Sequence, residues 1–209
     1  MNSVLAFILS VISVYLLGSF PTSFILAKTL KGIDIREVGS KNAGATNVLR
    51  TAGKLPALIT LVIDLLKGFL AVTVVAPFFY RFLPEIEYDF YRPFLGFIAV
   101  AGHIWSVFLR FKGGKGVATT LGVAVGIAPL ILLPSLAIWL IVFFITHYVS
   151  LASILALSIF PILALIFNQS FYTVLFGAAI CGLVIYKHSE NISRLLRGAE
   201  NKTIIFKVR

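Results

Sequence analysis

The chain alternates long apolar runs with short polar segments, and the lengths of the runs predict helices that cross a membrane. A transmembrane helix needs about 20 mainly apolar residues. Runs of this length cover, in order, about residues 4–27, 56–79, 93–110, 151–167 and 171–186. Residues 117–148 are too many for one span, and Pro129 and Pro134 divide them. We therefore predict two short helices there, at about 117–132 and 134–148, and seven spans in all.

The composition supports this interpretation. Charged residues make up 12% of the 209 residues and hydrophobic residues 59%, with a mean hydropathy of +1.02, whereas a soluble domain is about 25% charged. These values exclude an ordinary soluble domain, a disordered protein and a secreted scaffold that depends on disulfides. The only cysteine, Cys181, allows neither a disulfide framework nor a cysteine cluster for a metal. We expect an all-α polytopic membrane protein with a single membrane-embedded domain over residues 1–209.

The distribution of lysine and arginine predicts how the spans are oriented. If the N-terminus lies outside, then residues 28–54, residues 110–116 and the tail from Lys187 are cytoplasmic, and they hold 15 of the 18 basic residues. The long external loop, residues 81–92, holds two basic and three acidic residues. We therefore expect the N-terminus outside and the C-terminus in the cytoplasm. The net charge of +10 is expected to lie beside the lipid bilayer, so no nucleic-acid partner is expected.

The first polar cluster lies in the cytoplasmic loop after the first span. From Gly39 to Asn47 almost every residue is small or can donate a hydrogen bond, and Arg50 follows three residues later. Glycines let backbone N–H groups turn toward one point, and polar side chains add further donors, which is the chemistry that binds a phosphate. An ordinary positively charged loop with turn residues explains this segment equally well on its own.

The second polar cluster covers residues 111–120. Three glycines and two lysines occupy residues 112–116 at the predicted start of a helix, where backbone amides and the helix dipole favour an anion. It is not a Walker P-loop, because Leu109 and Gly116 stand where that motif needs glycine and serine or threonine. The alternative is a basic turn between two spans.

The third polar group lies near the cytoplasmic ends of the last spans. His188 and Asn191 are three residues apart and would share one face of a helix, as would Ser150 and Ser153. The serines are equally typical of helix packing in membranes. Residues 190–198 predict a short amphipathic helix that lies in the membrane interface.

Asp64 and Lys67, also three residues apart, fall inside the second span. Charged groups in a membrane are costly and usually face the interior of a helix bundle. A structural pair that supports the site is favoured over a proton path. No metal is expected, because the cytoplasmic side has no close pair of carboxylates apart from Asp34 and Glu37.

Two glycine-rich loops and a group of His, Asn and Ser on one side of the membrane suggest a site for two phosphorylated molecules. Several motifs, in the same order as in a known family, run through nearly the whole chain. They are Gly18-Ser-Phe-Pro-Thr-Ser-Phe24, Gly39-Ser-Lys-Asn-Ala-Gly-Ala-Thr-Asn-Val-Leu-Arg50, Asp64-Leu-Leu-Lys-Gly68, Gly102-His103, Phe111-Lys-Gly-Gly-Lys-Gly-Val-Ala-Thr119, Tyr148-Val-Ser-Leu-Ala-Ser153 and His188-Ser-Glu-Asn191. With these motifs the chain resembles the bacterial membrane acyl-phosphate-dependent glycerol-3-phosphate acyltransferases.

The resemblance implies a reaction and a set of roles. Such enzymes transfer a fatty acyl group from acyl-phosphate to the 1-hydroxyl of glycerol-3-phosphate, and they give lysophosphatidate and phosphate as the first acylation step of phospholipid biosynthesis. Phosphate groups would be held by Ser40, Asn42, Gly44, Thr46, Asn47 and Arg50, and glycerol-3-phosphate by Gly113, Gly114, Lys115 and Gly116. The catalytic set would be Ser153, His188 and Asn191 together with Arg50 and Lys115, with Glu190 as a structural partner.

The resemblance also implies the setting of the reaction. We expect seven spans, an active site that faces the cytoplasm, a location in the cell (inner) membrane, no cofactor and a monomer. The tail beyond Gly198 carries no transferred role.

The mechanism leaves one choice open. An acyl-phosphate is already activated, so no covalent acyl-enzyme is required, and the base for the attacking hydroxyl is either His188 or a phosphate oxygen of the donor. The resemblance favours the phosphate oxygen. A transporter or channel for organic phosphates is the rival function, since polar loops and an intramembrane ion pair also suit a translocation path. A purely structural membrane protein would leave the three polar groups without an explanation.

Overall fold

The computed structural model describes residues 1–203, and all regular structure within them is helical. The chain divides into two compact units, an N-terminal unit (Met1–Ile127) and a C-terminal unit that starts at Ala128. The N-terminal unit contains α1 (Ser3–Ser19), α2 (Thr22–Lys31), α3 (Ala45–Thr51), α4 (Lys54–Leu70), a π-helical segment (Ala71–Val75), α5 (Ala76–Tyr80), α6 (Tyr88–Ile104), a 3₁₀ turn (Val107–Leu109) and α7 (Val117–Ile127). The C-terminal unit contains α8 (Pro129–Thr146), α9 (Val149–Ser158), α10 (Phe160–Ile166), α11 (Phe171–Lys187) and α12 (Ser189–Leu196). The predicted all-α class is confirmed for the described residues.

Five helical stretches within residues 1–203 are long and apolar enough to cross a membrane. They are Ser3–Lys31, Lys54–Tyr80, Tyr88–Leu109, Pro129–Thr146 and Val149–Ile166. The pair α11 and α12, bent by 60°, makes a sixth if it is counted as one span. α7 is apolar but has only 11 residues, about 16 Å, which is half the thickness of the hydrocarbon core. The helices thus indicate a polytopic membrane protein, and the seventh span stays a prediction.

The long apolar stretch 117–148 divides at a different place from the predicted one. The break lies at Ala128, directly before Pro129, which is the first residue of α8. Proline suits this position because its missing N–H has no partner within the first turn of a helix. Pro134 lies inside α8 and does not end it, as membrane helices tolerate proline. The boundaries predicted at 132 and 134 are therefore wrong by a few residues.

Glycines allow two pairs of helices in the N-terminal unit to approach each other closely. Gly18 and Gly102 lie between α1 and α6, and Gly68 and Gly122 lie between α4 and α7. A Cβ atom at any of these positions would overlap a backbone carbonyl of the opposite helix, namely that of Ala99, Tyr15, Thr119 or Leu65. Small residues at helix interfaces are the usual means of close packing in membranes.

The first predicted span is broken between α1 and α2. Pro21 cannot continue the backbone ladder, and polar groups from neighbouring elements bond to the carbonyls at the break. Ser106 Oγ donates to the carbonyl of Ser19 at 2.6 Å, and Lys67 Nζ donates to that of Phe20 at 3.4 Å. The break is therefore held in place by a residue that follows α6 and by the lysine of the intramembrane ion pair.

α7 runs back along α6 toward the start of that helix. Arg92, in the first turns of α6, donates from Nη2 to the carbonyl of Gly126 at 2.6 Å and from Nε to that of Val72 at 3.2 Å. The beginning of α7 follows a turn that is bonded to the other end of α6, at His103 and Ile104. α7 therefore extends from the His103 end of α6 to the Arg92 end.

Within the described residues, the segment after α12 folds back onto helices of the C-terminal unit. α12 follows α11 after the bend at His188 and confirms the short helix predicted at residues 190–198. Gly198 has a φ of +68°, which lets the chain turn after α12. The N–H of Thr203 then donates to the carbonyl of His147 at 2.9 Å. Residues 199–203 thus belong to the folded unit.

Candidate active site

The donor-rich loop, residues 32–44, is organised around one buried side chain from α3. Asn47 is 1% exposed, and its Nδ2 donates to the carbonyls of Ile35, Val38 and Asn42 at 2.9, 3.0 and 3.1 Å. Its Oδ1 accepts the N–H of Ser40 at 2.9 Å. Four backbone groups of the loop are therefore fixed by a single carboxamide.

The other expected phosphate ligands of this region lie at the end of the donor-rich loop and in α3. Ser40, Asn42, Gly44 and Thr46 are partly exposed, and Arg50 is exposed. Because the amide of Asn47 is occupied within the loop, its expected contact with phosphate stays a prediction. Beneath the loop, an apolar cluster that includes Ile35, Ala43, Val48 and Leu109 supports the backbone.

An ion pair within the donor-rich loop is bonded to Leu109, two residues before the second polar cluster. Asp34 accepts three hydrogen bonds from the guanidinium of Arg36, two from Nε at 3.0 and 3.2 Å and one from Nη2 at 2.6 Å. The Arg36 guanidinium thereby holds the pKa of Asp34 below its usual value. Nη1 of Arg36 donates to the carbonyl of Leu109 at 3.1 Å, and the guanidinium lies over the ring of Phe24 at 5.2 Å. The sequence analysis did not assign Arg36 a role.

The glycine-rich turn, residues 110–116, is bonded through its main chain to the end of α6. Gly113 N–H donates to the carbonyl of Ile104 at 3.0 Å, and Gly114 N–H donates to that of His103 at 3.1 Å. Gly116 has a φ of +84°, which a side chain would strain, and α7 begins at the next residue. Lys115 is half-buried between these glycines. The turn therefore leads a lysine directly into a helix N-terminus, as an anion site requires.

The two loops are in contact. A Cβ atom at Gly114 would lie 2.6 Å from the carbonyl oxygen of Ala43, the residue before Gly44. Together with the bond from Arg36 to the carbonyl of Leu109, this contact holds the donor-rich loop beside the glycine-rich turn. The structure thus joins, within one unit, the two segments that the sequence assigned to phosphate groups.

A buried group of three ionisable side chains lies under the glycine-rich turn. Lys67 Nζ is 2.9 Å from Asp64 Oδ1, and His103 Nδ1 is 3.7 Å from the same oxygen. The exposed fractions of Asp64, Lys67 and His103 are only 2%, 3% and 7%. The predicted pairing of Asp64 with Lys67 is confirmed, and His103 joins it.

In the C-terminal unit the carboxylate of Glu200 collects the polar side chains of the third group. Its Oε1 accepts from Asn191 Nδ2 at 2.7 Å and from Ser150 Oγ at 2.9 Å, and its Oε2 accepts from Arg194 Nε at 2.8 Å. Although burial alone would raise it, the pKa of Glu200 lies below the usual value for a glutamate because these three groups donate to the charged form. Glu200 therefore connects α9 and α12.

The sequence predicts structural support from Glu190 but not from Glu200. The Glu190 side chain is 87% exposed and only approaches Arg194 at 3.8 Å, whereas the Glu200 side chain is 5% exposed. The family resemblance assigns no role beyond Gly198, so Glu200 was not predicted. The available signal was an acid two residues after the glycine that follows an amphipathic helix in a basic tail.

His188 and Ser153 are buried in the same unit. His188 is 3% exposed, and its Nδ1 lies 2.8 Å from the carbonyl oxygen of Val184. A carbonyl only accepts, so Nδ1 carries the proton and Nε2 has the lone pair in the neutral ring. Ser153 is 2% exposed, and its Oγ accepts from Trp139 Nε1 at 3.1 Å. The structure thus places His188 at the bend between α11 and α12, and Asn191 one turn later.

Comparison with known proteins gives a consistent result. The family model described as glycerol-3-phosphate acyltransferase matches residues 8–198. A glycerol-3-phosphate acyltransferase of Geotalea daltonii is 46% identical over 194 residues, which cover 93% of this chain and 96% of that protein. One of Endomicrobium trichonymphae is 44% identical and covers 96% of this chain and 97% of its own length.

Solved structures of PlsY, an integral membrane glycerol 3-phosphate acyltransferase, have the same fold. Its glycerol 3-phosphate form is 40% identical with a TM-score of 0.85, and its lysophosphatidic acid form is 38% identical with a TM-score of 0.82. Both alignments cover 94% of this chain and 95% of PlsY. This chain therefore belongs to the glycerol-3-phosphate acyltransferase family and is an integral membrane acyltransferase of phospholipid biosynthesis.

Proposed function

We propose that the chain transfers a fatty acyl group from acyl-phosphate to the 1-hydroxyl of glycerol-3-phosphate and releases lysophosphatidate and inorganic phosphate. The observation that carries the proposal is the contact between the donor-rich loop and the glycine-rich turn. Arg36 bonds to the carbonyl of Leu109, and the carbonyl of Ala43 lies against Gly114. Two loops with the chemistry of phosphate binding, held side by side, suit a reaction whose two substrates each carry a phosphate.

The charges near these loops suit that purpose. Two unit charges 4 Å apart repel by about 4 kcal/mol at an effective dielectric constant of 20, so two bound phosphates need nearby cations. Lys115 and Arg50 supply positive charge, and the first N–H groups of α7 lie directly after Gly116. In this proposal Gly113, Gly114, Lys115 and Gly116 bind glycerol-3-phosphate. Donor phosphate is held by Ser40, Asn42, Gly44, Thr46 and Arg50 and by the loop that Asn47 shapes.

The chemical step needs little from the protein beyond positioning. The 1-hydroxyl oxygen attacks the acyl carbonyl carbon, the bond from that carbon to the phosphate oxygen breaks, and the hydroxyl proton passes to an oxygen of the departing phosphate. Correct positioning of two reactants lowers the activation free energy by about 7–11 kcal/mol. In this proposal His188, Asn191 and Ser153 orient the acceptor, which are the roles that the resemblance implies.

We also propose the membrane arrangement that the charges predict, with seven spans, the N-terminus outside and the active site facing the cytoplasm of the inner membrane. The direction of α7 supports the seventh span, because this helix starts at the His103 end of α6 and reaches the Arg92 end. The chain would then work as a monomer with one acyltransferase domain over residues 1–209.

The experiment that tests the proposal uses the purified protein in detergent. Acyl-phosphate and glycerol-3-phosphate, without added metal, should give lysophosphatidate and phosphate in equal amounts. Acyl-CoA should be a poor donor. Lys115→Ala should raise the KM for glycerol-3-phosphate, because it removes a charge-assisted contact with phosphate. Robust turnover with acyl-CoA, or none with acyl-phosphate, would overturn the donor assignment.

A further inference from the structure

His103 holds the glycine-rich turn from two sides. Its backbone carbonyl accepts the N–H of Gly114 at 3.1 Å, and a Cβ atom at Gly114 would overlap its Nε2. The imidazole therefore lies directly against the main chain of Gly114, one residue before Lys115. At 7% exposure this ring is part of the interior, so it cannot move aside into solvent.

Asp64 lies beside the opposite nitrogen of this ring. Nδ1 of His103 faces Asp64 Oδ1 at 3.7 Å, and the same oxygen lies 2.9 Å from Lys67 Nζ. A carboxylate attracts the side of the ring that carries the N–H, which leaves the unprotonated Nε2 toward Gly114. Lys67 balances the charge of Asp64 and also donates to the carbonyl of Phe20 at 3.4 Å.

Stability alone does not account for this arrangement. A buried ion pair loses most of its Coulomb energy to desolvation, and apolar side chains of similar volume often stabilise a protein as well or better. What the charged pair supplies and an apolar pair would not is a fixed direction for the imidazole. That direction matters for the residue that follows Gly114, since Lys115 takes its position from the turn.

We propose that His103 is a positioning residue for the acceptor substrate, oriented by Asp64 and Lys67, and that it acts by holding the glycine-rich turn where Lys115 meets the phosphate of glycerol-3-phosphate. The inference rests on the proposed function of that turn. His103 touches neither substrate in this account. Its effect is on the binding of the acceptor and not on the donor.

Direct titration of glycerol-3-phosphate onto the purified protein tests the inference without any donor. His103→Gln should raise the Kd for glycerol-3-phosphate by about 10- to 100-fold, because a small displacement of a positioned group has effects of this size. In turnover assays the KM for glycerol-3-phosphate should rise, while the KM for acyl-phosphate should stay within about twofold of wild type. An equal rise in the KM for glycerol-3-phosphate and the KM for acyl-phosphate would contradict a role confined to the acceptor.

The double variant Asp64→Asn/Lys67→Met separates positioning from stability. It removes both charges together, so neither is left buried without its partner, and the protein should fold. If Asp64 and Lys67 orient His103, the Kd of this variant for glycerol-3-phosphate should still rise. A normal Kd in this folded variant would show that the pair only supports the fold and would overturn the proposal for Asp64 and Lys67.

Arg92→Gln is the matched control. Like Lys67, Arg92 is a cationic side chain that bonds to backbone carbonyls, but it lies in α6 at the end opposite His103. It should lower the melting temperature and leave the Kd unchanged. Lys115→Ala is the benchmark for the site. An unchanged Kd in Lys115→Ala would reject the proposed role of the turn, whereas a raised Kd there with a normal Kd in His103→Gln would reject the inference alone.

Discussion

In the N-terminal unit the glycine-rich turn is held by main-chain hydrogen bonds, whereas in the C-terminal unit one carboxylate binds the polar side chains of the third group. The glycine-rich turn bonds through the N–H groups of Gly113 and Gly114 to carbonyls of α6. Glu200 instead accepts from three side chains. A site made by the main chain fails when a Cβ atom is added, and a site made by a carboxylate fails when its charge is removed.

The sharpest test of the main-chain side of this comparison is Gly114→Ala. Its Cβ atom would overlap His103 Nε2 and lie 2.6 Å from the carbonyl oxygen of Ala43, so the two loops must separate. We expect kcat/KM to fall by at least about 100-fold. Gly182→Ala, where nothing lies within 4 Å of the added atom, is the control and should retain wild-type kinetics. Near-normal kinetics in Gly114→Ala would contradict the tight contact.

The matching test of the C-terminal unit is Glu200→Gln. The amide places an N–H donor against the donors of its neighbours, so the variant loses charge-assisted hydrogen bonds worth roughly 1.5–3 kcal/mol each. We expect a clearly lower melting temperature in detergent. Glu190→Gln changes an exposed side chain and should melt like the wild type. Equal melting temperatures for both variants would show that the charge of Glu200 does not stabilise the C-terminal unit.

The lowered pKa of Glu200 makes the stability of the protein depend on pH. The charged form is favoured by folding, so its stabilisation is present above the unfolded pKa of about 4.5 and is lost as the pH falls through the lower pKa of the folded state. The difference in melting temperature between wild type and Glu200→Gln should therefore shrink below about pH 4.5. A difference that stays constant down to pH 3 would show that the charge is not what stabilises the unit.

The variant His188→Gln tests whether the C-terminal unit supplies the base that takes the proton of the attacking hydroxyl. If a donor phosphate oxygen takes the proton, this variant should retain measurable turnover, with an approximately tenfold loss concentrated in acceptor binding. The pH dependence of kcat should then follow the phosphate. Abolished turnover, with acceptor binding shown intact by titration, would assign the base to His188.

A smaller effect is expected from Arg36→Lys. An ammonium group cannot make the paired bonds to Asp34 and also reach the carbonyl of Leu109, because it lacks the planar fork of arginine. We expect kcat/KM to fall by about three- to tenfold as the two loops lose one connection. Arg81→Lys, on an exposed arginine of the loop predicted to be external, is the control. No difference between the two variants would show that the apolar cluster alone holds the loops together.

The sequence predicted those features that depend on local pattern. Apolar run lengths predicted most of the helices, and the three-residue spacing of Asp64 and Lys67 predicted their pairing. It misplaced the break near Pro134, because a proline inside a helix and one that starts a helix have the same local signal. Only the packing of the folded chain decides whether a proline starts a helix or lies inside one.

Long-range contacts account for what the sequence did not predict. Nothing in the pattern around Glu200 indicates that the chain returns to Ser150, 50 residues earlier. Similarly, Asn47 has the appearance of a ligand in a donor-rich segment, and only the folded loop shows its amide bonded to Ile35, Val38 and Asn42. Motifs identified the chemistry, while partners distant in sequence decided which side chains shape the site.

The central claim is direct transfer between two phosphorylated substrates held by the donor-rich loop and the glycine-rich turn. The most direct measurement is a single-turnover assay of phosphate release from acyl-phosphate, with enzyme in excess, before and after glycerol-3-phosphate is added. Direct transfer predicts no release of phosphate with the donor alone. After the acceptor is added, phosphate and lysophosphatidate should form in equal amounts. A burst of phosphate equal to the donor before any acceptor is present, with the acyl group retained on the protein, would contradict direct transfer.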